Sequence, residues 1–379
     1  MTRNLPAWVR PLALAGAALT VVLIGFGGMV TNTDNGLACP DWPTCFGEPF
    51  PKLVGGVLME HGHRYVATAV GFICVLLVGA TLWAADQAKL IAWSLAVSMP
   101  LVLGGSTAAA VVKHRTNALP LVPSLLCLAG YAIGLYVIAQ APRVGRIAQA
   151  LLLLVMTQGI FGGATVIYKL PVTVLVLHLA TSMIVLAAFV MLWSALGEDA
   201  QRDGVAQVVR VQVSPGERAL VLAASGLVYL QLVLGAAVRH TGAGLICTDL
   251  PLCRGAVWPT NVHPAVHLHM LHRALGLTLL VLLTWLAVRL WTRLSQAGGA
   301  SMLAVRALPL LVLAQVTLGV LTIWTLKELF TVTGHLVVGA LVWAACVTLS
   351  VRVRGVAHVA AQGVAEAAAA PASIEARGV

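Results

Sequence analysis

Three observations predict an all-α integral membrane protein of about ten transmembrane helices. They arrange it as two pseudo-symmetric four-helix bundles, with an extra two-helix hairpin inserted in the first. The first observation is composition: about 60% of the 379 residues are hydrophobic and 9% charged, and apolar runs of roughly 18–25 residues recur. Such a run crosses a hydrocarbon core of about 30 Å at 1.5 Å per residue. The second is an internal repeat. Gly27–Gly47 reads GGMVTNTDNGLACPDWPTCFG and Gly235–Gly255 reads GAAVRHTGAGLICTDLPLCRG. Cys39, Asp41, Pro43 and Cys45 thus recur as Cys247, Asp249, Pro251 and Cys253 at one offset of 208. The third is where the repeat breaks. His63-Arg64 recurs as His272-Arg273 at 209, but Gln158 and His178 recur as Gln315 and His335 at 157. The first copy therefore holds about 52 residues that the second lacks, which is two spans and a loop. An even number of crossings leaves the orientation of everything downstream unchanged.

The spans are expected near 12–30, 64–84, 90–112, 118–140, 147–167, 172–195, 219–238, 266–288, 303–325 and 331–350. Arg3 and Arg10 flank the first in the manner of a signal peptide. However, its apolar run is long for an h-region and no small-x-small cleavage site follows, so it is expected to remain as a span. Pro100, Pro120 and Pro123 interrupt or flank the third and fourth spans, whose boundaries are therefore the least defined. The expected organisation is an N-terminal unit over 1–196 with the inserted hairpin at about 88–140, and a cytoplasmic linker over 197–218. A C-terminal unit follows over 219–352, and an Ala-rich mobile cytoplasmic tail over 353–379. Four spans per unit make the repeats parallel, related by an axis along the membrane normal.

A net charge of +10 in a soluble domain would suggest nucleic acid, but here the distribution of the charge matters more. Lys and Arg concentrate in the loops and tails on the N-terminal side, so both termini are expected in the cytoplasm of a multi-pass cell (plasma) membrane protein. The Cys loops then face outward. The basic charge is read as topology, with no nucleic-acid partner.

In that topology His63, His178, His272 and His335 all lie early in helices running from outside to inside, at one depth in the outer membrane. Ionisable groups there are costly and point to function. Repeat-related positions sort them into two bis-imidazole pairs, His63/His178 and His272/His335, each spanning facing helices of one bundle. Two neutral imidazoles on opposite faces of a macrocycle ligate haem iron. Zinc fits less well, because no third and fourth ligand recurs with each pair. In outer loops the cysteines are expected as disulfides, Cys39–Cys45 and Cys247–Cys253. The alternative is a four-Cys metal site built from both loops, against which stands a spacing unlike common zinc sites. Cys74, Cys127 and Cys346 lie within spans and read as buried thiols.

Symmetry breaks at Glu60, one helical turn before His63, where the second copy has His269. A carboxylate beside one slot only implies that one pair holds a permanent cofactor and the other something that reacts. The plainer alternative pairs Glu60 with Arg64 at i+4. Arg64 and Arg273 are candidate partners of haem propionates or simple interfacial anchors. His61, His240, His263, His267 and His269 crowd the same end with no assigned role.

The Cys loop, the E-x-x-H-R start at Glu60–Arg64, the QGIFGGATV run at Gln158–Val166 with downstream His178, and their second-copy equivalents resemble the haem A synthase family (CtaA/Cox15) over both halves. The resemblance implies an oxidoreductase that converts the C8 methyl of haem O to a formyl group, giving haem A for terminal oxidases. It implies haem b as cofactor, with His272 and His335 as its iron ligands. His63 and His178 would ligate the iron of the substrate, haem O, and Glu60 would be catalytic. It further implies an unidentified electron donor and water as oxygen source. Haem O synthase or oxidase assembly factors would be its protein partners in the lipid bilayer. Two departures stand out: the hairpin is not part of the usual eight-helix plan, and Thr31-Asn32-Thr33-Asp34 stands where related chains often carry an Arg. The runner-up is a di-haem, bis-His membrane cytochrome passing electrons between a quinol and a partner. A transporter of parallel repeats, with no bound chromophore, is a third reading.

Overall fold

A computed structural model describes residues 4–116, 118–202, 213–294 and 299–369. Ten helices within it are long and apolar enough to cross a membrane. In chain order they are α1 (Val9–Asn32), α2 (Gly55–Ala84), α3 (Ala88–Thr116), α4 (Leu121–Gln140) and α5 (Arg143–Ile167). There follow α6 (Val172–Arg202), α7 (Pro215–His240), α8 (Pro264–Leu294), α9 (Gly299–Trp324) and α10 (Leu329–Ala369). The described residues contain no β-strand, only one isolated bridge in each Cys loop, Cys45 with Glu48 and Cys253 with Ala256.

The helix boundaries have local causes. Ser214 caps α7: its hydroxyl accepts from the Glu217 amide at 3.2 Å while the Glu217 carboxylate accepts from the Ser214 amide at 2.9 Å, with Pro215 in the first turn. In α3, Pro100 cannot donate to the carbonyl of Ala96, and the helix widens into a π-helical stretch over Ala92–Ser98 just before it. Pro120 precedes α4 and Pro123 falls in its first turn, where no amide donor is required. The prolines that blurred the third and fourth spans therefore leave both helices intact. At the Cys-loop end α2 starts at Gly55, nine residues before the expected span. α6 runs on to Arg202, inside the stretch expected as linker, while residues 203–212 lie outside the described residues. α10 continues through its Ala-rich extension to Ala369, as Ala's helix propensity favours, and residues 370–379 of the expected tail are outside the described ones.

Packing closes two cycles of neighbours. α1 packs on α2 and α6, and α5 packs on the same two. In the second half α7 packs on α8 and α10, and α9 on the same two. The α3–α4 hairpin lies outside the first cycle, against α5 and the end of α2. Ser94 anchors it by donating to Gln149 of α5 at 2.6 Å, and Ser98 donates to the Gly130 carbonyl of α4 at 2.7 Å, with Ser94, Ser98 and Gln149 fully buried. Between apolar helices in a bilayer, close approach and interhelical hydrogen bonds do the joining. Gly16 of α1 illustrates the first: a Cβ there would fall 2.2 Å from the ring of the fully buried Phe189 of α6.

The two cycles meet along α1, α6, α7 and α10. Trp343 of α10 donates its indole N–H to the Met183 carbonyl of α6 at 2.7 Å, and Tyr229 of α7 donates to the Ala180 carbonyl at 3.3 Å. Nearer the Cys loops, Asn32 of α1 donates to Thr333 of α10 at 3.3 Å.

Candidate functional site

The four histidines occupy equivalent heights. His63 lies eight residues into α2 and His272 eight into α8, while His178 and His335 each lie six into α6 and α10. At 1.5 Å per residue this is about 9–12 Å below the helix starts at the Cys-loop end. Within each cycle the two His-bearing helices are not sequential neighbours, and in the second cycle their imidazoles meet across the middle. The ring centroids of His272 and His335 are 6.4 Å apart with planes at 77°.

Each imidazole rests against a glycine of the adjoining helix. A Cβ added at Gly235 would stand 2.9 Å from Cε1 of His272, and one at Gly319 would stand 3.0 Å from Cε1 of His335. In the first cycle the same construction gives 3.1 Å from Gly27 to His63 and 3.8 Å from Gly162 to His178. A larger residue at Gly27, Gly235 or Gly319 would crowd the ring it faces, whereas at Gly162 the contact would be ordinary. These four glycines obey the repeat, Gly27/Gly235 at 208 and Gly162/Gly319 at 157. Sequence reasoning overlooked them, although those offsets pointed to them.

The ring nitrogens fit a metal-centred ligand. Nδ1 of His63, His178 and His272 is buried without a hydrogen-bond partner. Nδ1 of His335 lies 3.0 Å from the Gln315 carbonyl, which can only accept, so it carries the proton and Nε2 keeps its lone pair. Two imidazoles binding one metal at about 2.0–2.1 Å each would hold their centroids about 6 Å apart, as the second pair does. Donor set, spacing and glycine clearance together fit bis-imidazole ligation of a haem iron. Gln231 of α7 supports this pair by donating to the His272 carbonyl at 2.9 Å.

Over each pair lies a Cys loop, and both expected disulfides, Cys39–Cys45 and Cys247–Cys253, are formed. The four-Cys alternative is thereby replaced by two separate cystines. Gly47 and Gly255 turn their loops with φ of 80° and 75°, the left-handed region that glycine adopts freely. The Asp41 carboxylate accepts from the Thr44 hydroxyl and from the amides of Phe46 at 2.6 Å and Gly47 at 3.0 Å. Burial pushes its pKa up, but these bonds and the Arg64 charge outweigh burial and hold the carboxyl below its ordinary range.

An arginine ties each loop to its helix. Arg64 donates to the carbonyls of Asp41 at 2.9 Å and Thr44 at 2.7 Å, and Arg273 to those of Asp249 at 2.9 Å and Leu252 at 3.1 Å. Their guanidinium groups are thus committed to the loops. Glu60, 5% exposed, accepts from Arg64 at 2.5 Å and from the Cys39 amide at 2.8 Å. The i+4 pairing with Arg64 is present, and the carboxylate is shared with the loop backbone. In the second copy His269 takes that place and accepts from Arg273 at 3.1 Å. His240, given no role from the sequence, ends α7.

Ten helices long and apolar enough to cross a membrane define a multi-pass helical membrane protein, with its four histidines at equivalent heights in four of those helices. The chain belongs to the COX15-CtaA family of cytochrome oxidase assembly proteins, whose model matches residues 10–54 and 52–347. Among curated relatives, a heme A synthase of Symbiobacterium thermophilum is 28% identical over 297 residues, covering 77% of this chain and 80% of the relative. One of Halalkalibacterium halodurans is 26% identical over 330 residues, covering 86% and 91%. One of Alkalihalophilus pseudofirmus is 27% identical over 268 residues, covering 70% of each chain.

Proposed function

We propose that this chain is an oxidoreductase that converts the C8 methyl group of haem O to the formyl group of haem A. His272 and His335 hold a resident haem b, and His63 and His178 present the substrate haem. The carrying observation is a pair of pseudo-equivalent imidazole slots whose flanks differ by one buried carboxylate, Glu60. Relatives named heme A synthase over most of their length support the same reading.

A bound haem b supplies one-electron redox chemistry that protein side chains lack. The chain's own part is to bind and orient. The imidazoles would hold the haem iron, the facing glycines let the rings seat against helix backbone, and the apolar helices exclude bulk water. Glu60 holds a carboxylate one turn from His63, where it can take a proton released from substrate or water. Arg64 balances its charge while the carboxylate waits. The excess of Lys and Arg on the N-terminal side supports cytoplasmic termini and slots opening toward the outer face of the cell membrane. With water as the oxygen source the methyl group gives up four electrons and four protons are released, so the reaction also needs an electron acceptor such as dioxygen, supplied with any electron donor by separate partners.

Haem analysis of cells that make haem O, with and without this protein, tests the reading. Hydroxylated haem or haem A is expected only with the protein, and much less with Glu60→Gln. A haem pool unchanged by the protein would sink the proposal.

A further inference from the structure

We propose that Cys39, Cys45 and His61 form a site for a thiophilic d10 cation of the zinc(II) or copper(I) class once the Cys39–Cys45 disulfide is reduced. Their ligand atoms lie within 4.8 Å of one another, the only such three-residue group among the described residues. Both cysteines are fully buried and His61 is 3% exposed. Soft thiolate ligands with one imidazole suit such cations.

The imidazole is already oriented as a ligand. Nε2 of His61 lies 3.2 Å from the Pro49 carbonyl, which only accepts, so Nε2 carries the proton. Nδ1 therefore presents its lone pair, and it points at Sγ of Cys39 from 4.0 Å. A ligand histidine whose second nitrogen donates to a carbonyl is the usual outer support of a metal site. The edge of Tyr65 packs on the ring with centroids 4.6 Å apart and fixes its tilt.

The second copy shows that a Cys loop needs none of this. There the loop is latched by His267, one turn earlier on its helix, whose Nε2 lies 2.9 Å from the Pro259 carbonyl. The position equivalent to His61 is Met270, which packs in an apolar cluster with Cys247 and Cys253. Latching a loop and facing its cysteines are thus separable, and only the first copy combines them.

The chemistry balances with a dithiol reductant. Two electrons from the dithiol break the Cys39–Cys45 bond, two protons pass to the sulfurs, and the dithiol closes to its own disulfide. Cation binding then displaces both thiol protons. The proposal is independent of the haem chemistry, so either can fail alone.

Cadmium(II) is the probe, because its ultraviolet thiolate band reports sulfur ligation even if other histidines bind metal. Two haem-loaded, full-length proteins are compared after phosphine reduction: one with only the first Cys pair (Cys247→Ser/Cys253→Ser), one with only the second (Cys39→Ser/Cys45→Ser). The first should bind one equivalent at least tenfold more tightly than the second. His61→Ala should abolish that difference, and His61→Cys should restore it. If His61→Ala loses its haem spectrum, His61→Gln replaces it under the same criterion. Equal affinities in the two single-pair proteins, or less than a tenfold effect at His61, would overturn the proposal.

Discussion

Gly235 and Gly319 matter because an imidazole edge occupies the space where a side chain would begin. Gly235→Ala or Gly319→Ala should displace its facing ring and cost about 1–3 kcal/mol of overpacking. The expected result is a weaker bis-imidazole haem spectrum in purified protein. Gly162→Ala, with ordinary contact to His178, should leave the spectrum intact. Equal effects at all three would refute the clearance argument. Asp41 gives a pH-dependent case. Its carboxyl titrates below the unfolded value of about 3.9, so its contribution is complete above that value and lost as pH falls through the folded pKa. Reduction of Cys39–Cys45 by a water-soluble phosphine should accelerate below about pH 4, and Asp41→Asn should show the fast rate at neutral pH. A rate flat in pH would count against this. The histidines, cysteines and Glu60 were legible in sequence because rare polar residues stand out in apolar runs. The glycines were not, because this chain has 36 and only three dimensions show which ones face a ring.

For helices, length and hydropathy located every span, but the start of α2 at the Cys-loop end was placed nine residues late. Polar residues such as Glu60, His61 and Arg64 interrupt the apolar run without interrupting the helix, since their side chains bond to the loops above. The inserted hairpin was visible as an arithmetic discrepancy between offsets, whereas its anchorage was not. Ser94→Ala would leave the fully buried Gln149 without its hydroxyl partner, at a cost of about 1–3 kcal/mol. Thermal unfolding in detergent should shift down accordingly, and Ser94→Ala/Gln149→Leu should recover most of the loss. A double variant no better than the single would show that the contact is not what holds the hairpin.

For the molecule as a whole, the repeat carries no information on how the two cycles of neighbours meet. No sequence offset encodes Trp343 bonding to Met183, or Asn32 to Thr333. The pairing of histidines makes a global prediction. If the proposed assignment holds, His272→Ala or His335→Ala should remove the proposed resident haem b from purified protein, whereas His63→Ala should retain it and lose turnover. Retained haem with both C-terminal ligands replaced would reverse the assignment. The contact of α1 with α10 also bears on biosynthesis. These two helices are far apart along the chain yet neighbours in space, so α1 waits in the bilayer with an uncovered flank until α10 has been made. A nascent chain stopped before Leu329 should therefore be a substrate for membrane quality control, and the missing helix supplied as a separate peptide should rescue it.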